Sequence, residues 1–185
     1  MTSRAVLCGC GAMAKGWLRA LQSASDLSRD VEIVGLVDLD LSVAKALAAE
    51  FGLEGVVIDT DLASVIEATQ ADMLFDVVVP AARFAVVSTA LKLGCHVLSE
   101  KPLATSMDEA KALLTLSAET GRVHAVVQNR RFISGIRRLR RAVDDGLIGD
   151  VSGIHCDFFI APHFGGFREA MDNVLLLDMA IHTFD

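Results

Sequence analysis

Ala5-Val6-Leu7-Cys8-Gly9-Cys10-Gly11-Ala12-Met13-Ala14 is the stretch that decides how this chain folds. Ala5 to Cys8 are all apolar and read as a buried strand. Ala14, Trp17, Leu18 and Leu21 then recur at helical spacing, so the glycines lie on a strand-to-helix turn. The turn fits GxGxxA. Gly9 permits the tight turn, Gly11 lets backbone approach a pyrophosphate, and Ala14 permits close packing of helix on sheet. Ala12 and Met13 begin the helix, where free N–H groups and a partial positive charge favour phosphate. A small-residue turn without a ligand has the same letters. The strand–turn–helix setting favours a dinucleotide.

Working outward, apolar runs of strand length alternate with helix-period segments. Strands are predicted at 32–37, 56–58, 75–79, 96–98 and 123–127. Helices are predicted around Val43 and Leu47, at 84–93 and at 107–116. Continuous apolar strands joined by helices imply a parallel sheet covered on both faces. Right-handed crossovers make it a doubly wound α/β sheet, a Rossmann domain over residues 1–127. The pattern changes after Val127. Phe132, Ile136, Leu139 and Val143 mark one face of a helix that Asp144-Asp145-Gly146 ends. A strand is expected at 151–160, with Ile154, Cys156, Phe158 and Ile160 on one face. A Pro/Gly-rich loop follows at 162–166, then an apolar helix from about Arg168. Residues 128–185 therefore read as a linker helix and the first strand and helix of an incomplete α+β domain.

Composition narrows the function. The chain has 185 residues, 52% of them hydrophobic, which describes a globular protein and not a disordered one. A formal charge of −7 argues against nucleic acid or an anionic membrane as partner. No apolar run approaches the about 18 residues of a membrane span, and no leader-like cleavage region opens the sequence. Cys8, Cys10, Cys95 and Cys156 form no CxxC pair or Cys/His cluster, so no metal is expected and a reducing cytoplasm is. Arg130, Arg131, Arg137, Arg138, Arg140 and Arg141 cluster without a recognition motif, and the last four read as a solvated helix face.

Three further features carry chemistry. Asp38 ends the second strand, where a carboxylate accepts hydrogen bonds from the adenosine ribose. A 2′-phosphate there would face like charge, at about 1 kcal/mol per pair in water and about 4 at an effective dielectric of 20. NAD is therefore favoured over NADP. Asp40 is the other candidate for that contact, and both aspartates are also compatible with solvated turn positions. Glu100-Lys101-Pro102 follows the fifth strand at the carboxyl edge, where ligands bind. Proline restrains Lys101 and can adopt a cis bond. Asp178 and His182 lie four apart in an apolar segment, with Asp185 on the same side. Carboxylate plus imidazole suits acid–base work near neutral pH. A structural ion pair or half of a metal site would use the same spacing.

Together these elements resemble the Gfo/Idh/MocA family, named for glucose–fructose oxidoreductase and inositol dehydrogenase. The resemblance rests on the GxGxxA turn, His96-Val97-Leu98-Ser99-Glu100-Lys101-Pro102-Leu103, Gln128-Asn129-Arg130-Arg131-Phe132 and Leu177-Asp178-Met179-Ala180-Ile181-His182-Thr183-Phe184-Asp185. It implies an NAD-dependent dehydrogenase of a sugar, inositol or related polyol, and a homo-oligomer in the full-length form. Lys101 would bond the reacting oxygen beside the nicotinamide. His182 would take the hydroxyl proton, and Asp178 would orient the imidazole or the substrate. Val79, Pro80, Glu100, Asn129 and Arg130 would line the cofactor cleft. Family members often carry a histidine four residues after the proline at the end of the fourth strand. Here Phe84 stands at that distance from Pro80. Members are also longer, so the chain is expected to be part of a longer enzyme. The alternatives are a glycosidase or epimerising enzyme with internal NAD recycling, a dinucleotide-binding sensor without turnover, and a small protein completed by a partner.

Overall fold

Alternation along the first strand sets the architecture. In β1 (Ser3–Cys8), Val6 and Cys8 join one hydrophobic core and Ala5 and Leu7 another, and all four are buried. A strand buried on both sides needs helices on both sides. The computed structural model describes residues 2–24, 27–159 and 165–185. They divide into two compact units, Met1–Val127 and Gln128–Asp185.

In the first unit, β1 is followed by α1 (Ala12–Ser23), α2 (Leu27–Asp30), β2 (Val31–Val37), α3 (Leu41–Phe51) and β3 (Val57–Asp59). Then come α4 (Leu62–Thr69), β4 (Met73–Asp76), α5 (Pro80–Lys92), β5 (His96–Ser99), α6 (Met107–Thr120) and β6 (His124–Val126). The six strands are parallel in the order β3-β2-β1-β4-β5-β6. The order reverses between β1 and β4, which opens a crevice at their carboxyl ends. Ala14 and Leu18 of α1 and Ala44 and Leu47 of α3 pack with Leu7, Leu36 and Phe75. Val65 and Ile66 of α4, Val87 and Leu91 of α5 and Leu113 of α6 pack with Val6, Leu74 and Val97. Each fully buried Val or Leu contributes about 1.5–3 kcal/mol. The predicted doubly wound sheet is the observed one.

Several details differ from the expectation, among them the short α2 and the start of α5 at Pro80 where residue 84 was expected. Helix α4 was not anticipated, although Asp61 caps it by accepting from the Ala63 N–H at 3.1 Å. Strand β4 begins at Met73 and ends at Asp76, not at Val79. Asp76 Oδ1 accepts from the Val78 N–H at 3.2 Å, and that side-chain bond turns the chain out of the sheet. Pro80 consequently ends no strand. It opens α5, where a missing N–H costs nothing.

The second unit contains a 3₁₀ turn (Asn129–Phe132), α7 (Ser134–Asp144), a second 3₁₀ turn (Gly166–Ala170), a π-helical segment (Leu175–Ala180) and α8 (Ile181–Phe184). The strand expected at 151–160 does not form over 151–159, and Ile160 and residues 162–164 of the loop lie outside the described residues. Alternation alone makes no strand. Its backbone groups need a ladder partner, and every strand among the described residues belongs to the one sheet. The helix expected from Arg168 is interrupted as well. Met171 is extended and Asn173 has φ +54°, which no α-helix accommodates. Among the described residues no helix is long and apolar enough to cross a membrane.

Gly35 shows how tightly β2 meets α4. A Cβ there would collide with Val65 Cγ1 and lie 3.2 Å from Val6 Cγ2. Gly35→Ala should cost about 1–3 kcal/mol by overpacking, read from a urea unfolding curve. An unchanged midpoint would show that α4 yields.

Candidate functional site

The site is built from the glycine-rich turn outward. Gly9 has φ +93°, and a Cβ there would lie 2.7 Å from the Val77 carbonyl carbon and oxygen and 2.8 Å from the Val78 nitrogen. Only glycine lets the end of β1 pass the end of β4 this closely. Its N–H donates to the Val37 carbonyl at 2.8 Å, which ties the turn to β2 as well. Gly11 differs in kind. A Cβ there meets nothing within 4 Å, and no side chain caps α1 at that end. Gly11, Ala12 and Met13 are exposed, so the positive end of α1 opens to solvent. Ala14 is fully buried against the sheet, whereas Met13 is half exposed beside the turn.

Asp38 is fastened into the same turn. Oδ2 accepts from the Cys10 N–H at 2.7 Å and Oδ1 from the Asp40 N–H at 2.9 Å. A carboxylate has about four acceptor positions, so two remain for ribose hydroxyls. Asp40, the other candidate, is spent as the cap of α3. It accepts from the Ser42 N–H at 2.8 Å and the Ser42 hydroxyl at 2.6 Å, which hold its carboxyl below the usual range. Cys10 is buried, and its thiol is pushed up to about 12 by burial and by the Asp38 charge. It is a packing residue and not a nucleophile.

The second cluster stands at the ends of β4 and β5. Glu100 accepts from Trp17 Nε1 at 2.8 Å, which links it to α1. The Lys101–Pro102 bond is cis. Beneath this turn lies a buried ion pair that sequence reasoning missed. Arg83 Nε donates to Asp76 Oδ2 at 2.7 Å, and the two side chains are 1% and 0% exposed. Burial pushes the Asp76 carboxyl up, opposed by Arg83 and by a hydrogen bond from Ser99. Ser99 Oγ lies 3.0 Å from His124 Nε2. With its one proton given to Asp76, Ser99 accepts from the ring N–H. Burial and then Arg83 hold His124 below its ordinary value, which favours that neutral ring. The signal was a lone aspartate inside an apolar run, since a buried carboxylate needs a partner. Val79 is exposed at the start of α5, Pro80 is buried, and Phe84 packs against the core.

In the second unit, Asn129 and Arg130 lie in the first 3₁₀ turn, with the Arg130 guanidinium 5.4 Å from the centre of the Phe158 ring. Asp178 is buried in the π-helical segment and His182 follows in α8. Asp178 Oδ2 accepts from Arg168 Nε at 2.7 Å, a partner ten residues upstream that the i,i+4 reading did not contain. Asp185 pairs with Arg131. Arg140 pairs with Asp144 at 3.5 Å, and all of the last four arginines are exposed. Among the described residues no group of three His, Cys, Asp or Glu side chains is placed to hold a metal ion.

An uncapped helix end, an open approach at Gly11 and a carboxylate closing the second strand fit a dinucleotide, and they define an NAD-binding Rossmann domain. The sequence profile of the Gfo/Idh/MocA family, an oxidoreductase family with an NAD-binding Rossmann fold, matches residues 3–128. The chain belongs to that family. D-glucoside 3-dehydrogenase of Escherichia coli (strain K12) is 30% identical over 166 residues, 84% of this chain and 45% of that protein. Inositol 2-dehydrogenase/D-chiro-inositol 3-dehydrogenase of Lacticaseibacillus casei is 28% identical over 181 residues, 96% of this chain and 49% of that one. The crystal structure of myo-inositol dehydrogenase from Lactobacillus casei, in complex with NAD(H) and myo-inositol, superposes with a TM-score of 0.72 at 29% identity. That match covers 80% of this chain and 43% of the other. The chain spans about half the length of the curated relatives it matches.

The two glycines should separate experimentally. Gly11→Ala should fold as the wild type does and bind NAD at least about tenfold more weakly, because its methyl meets only ligand. Gly9→Ala should lose about 2–4 kcal/mol of stability through strain and backbone collision. Calorimetric titration and thermal melts read both. Undiminished NAD affinity in Gly11→Ala would place the pyrophosphate elsewhere.

Proposed function

We propose that this chain is the cofactor-binding part of an NAD-dependent dehydrogenase that oxidises a carbinol of a sugar, inositol or related polyol. The observation that carries the proposal is the glycine-rich turn at the sheet's switch point, pinned by Asp38 and Gly9 and open at Gly11. The relatives supply the substrate class, since those named above are inositol and glucoside dehydrogenases. Gly9, Gly11, Ala12, Met13 and Ala14 hold the pyrophosphate in this reading. Asp38 takes the adenosine ribose, and Val79, Pro80, Glu100, Asn129 and Arg130 line the rest of the cleft. Residues 128–185 are the start of the substrate domain. Free cysteines, three of them buried, suit a reducing cytoplasm.

NAD, when bound, supplies a hydride acceptor. The chain's own residues handle the proton. Lys101 donates a hydrogen bond to the carbinol oxygen as it becomes a carbonyl. His182 takes the hydroxyl proton. Asp178, buried and paired with Arg168, orients that imidazole or the substrate.

Asp38 predicts cofactor choice. NAD should bind more tightly than NADP in calorimetric titration, and Asp38→Ala should narrow the gap by removing about 1 kcal/mol or more of repulsion. Tighter NADP binding by the wild type would end this part of the reading. Lys101 and His182 predict rate. In an active enzyme carrying this chain, Lys101→Ala and His182→Ala should each lower kcat by about 10²–10⁴ with NAD affinity kept. Wild-type turnover in steady-state assays would remove that residue from the mechanism.

A further inference from the structure

Arg83 spends its guanidinium on three acceptors, the side chain of Asp76 at the end of β4 and the carbonyls of two turn residues. Nε donates to the Asp76 carboxylate at 2.7 Å, Nη2 to the Val78 carbonyl at 3.0 Å and Nη1 to the Pro102 carbonyl at 2.5 Å. Val78 belongs to the turn after β4, and Pro102 to the turn after β5. Asp76 fixes the pair from the other side by accepting from the Val78 N–H and from Ser99. A planar fork with donors in fixed directions suits this task, and a lysine's single point charge does not.

Stability does not explain such a pair. Burying two charges costs several kcal/mol each, and apolar residues of equal volume often serve a core as well or better. What the pair adds is geometry. Parallel strands β4 and β5 are already held along their length by ladder hydrogen bonds as far as Asp76 and Ser99. The last such bond runs from the Glu100 N–H to the Asp76 carbonyl at 2.8 Å, and past it Arg83 bridges the two turns through the Val78 and Pro102 carbonyls. Phe84, the next residue, is partly buried against the core and leaves the bridging to Arg83.

We propose that Arg83 is a positioning residue that ties Val78-Val79-Pro80 to Glu100-Lys101-Pro102 and so sets the nicotinamide half of the cofactor cleft. The inference rests on the dinucleotide reading above. The adenosine half is set separately, by Asp38 on the Cys10 N–H and by Gly9 on Val37. In a doubly wound sheet each half of the dinucleotide lies over its own set of strand ends. The brace thus acts on one half of the ligand and spares the other.

NAD and ADP-ribose, which lacks the nicotinamide, distinguish the halves in calorimetric titrations of the chain. Wild type should bind NAD more tightly than ADP-ribose. Arg83→Lys should weaken NAD about tenfold, the size of one charge-assisted hydrogen bond, and leave ADP-ribose within about twofold. Asp76→Asn, close in shape, should show the same selectivity and carries the test where Arg83→Lys fails to fold. Equal weakening of both ligands would make the pair merely structural and overturn the proposal. So would unchanged NAD affinity, equal wild-type affinities for the two ligands, or failure of both variants to fold. A wild-type chain that binds neither ligand would instead refute the cofactor reading on which the inference stands.

Discussion

At the switch between β1 and β4 the backbone passes so close to itself that no side chain fits, with 2.7 Å from a Cβ on Gly9 to the Val77 carbonyl. Much of the site follows from that approach. A tight exit from β1 directs α1 across the sheet face made by Leu7, Leu36 and Phe75. It leaves the helix N-terminus at the crevice where the strand order reverses. It also places the Cys10 N–H on the Asp38 carboxylate, which closes the end of β2. One steric constraint thereby positions a helix dipole, an open backbone approach and a carboxylate around the same space.

Polar groups in the first unit divide by depth. Those at the exposed rim cap helices: Asp40, Asp61 and Ser106 each accept from an N–H in the first turn, for about 1 kcal/mol apiece. Those underneath are linked. Buried Arg83, Asp76 and Ser99 and the half-buried His124 form a connected group below the Glu-Lys-Pro turn. A low-dielectric interior makes every unmade bond in such a group expensive, so the arrangement tolerates few alternatives.

The sheet was legible in the sequence because each strand is a short apolar run and each connection carries helix periodicity. The glycine-rich turn was legible because its letters encode steric requirements. Helix α4 is equally well signalled, by Asp61 as cap and by Leu62, Val65, Ile66 and Thr69 at helical spacing. Arg83 and Arg168 were hidden for a different reason. Each is one arginine among many, and only the fold brings it to a buried carboxylate, seven residues away for Asp76 and ten for Asp178. Residues 151–159 mislead in the opposite sense. Ile154 and Phe158 alternate as a strand would, yet pairing depends on a neighbour that alternation does not specify.

The same distinction separates the two units. In the first, the apolar residues that define each element are also the ones that bury it, so pattern and packing agree and the site geometry is fixed locally. In the second, Phe132, Ile136, Leu139 and Val143 keep their helical spacing while remaining between 37% and 66% exposed. Spacing sets which face a helix offers, but only contact fixes where that face stands. Asp178 is the exception there, held by Arg168, which in turn stacks 4.7 Å from the Phe167 ring. A carboxylate taken out of water demands a partner whatever the surrounding apolar residues do. Asp178 is therefore held locally by charge, as Asp76 is in the first unit, whereas the glycine-rich turn is set by close packing.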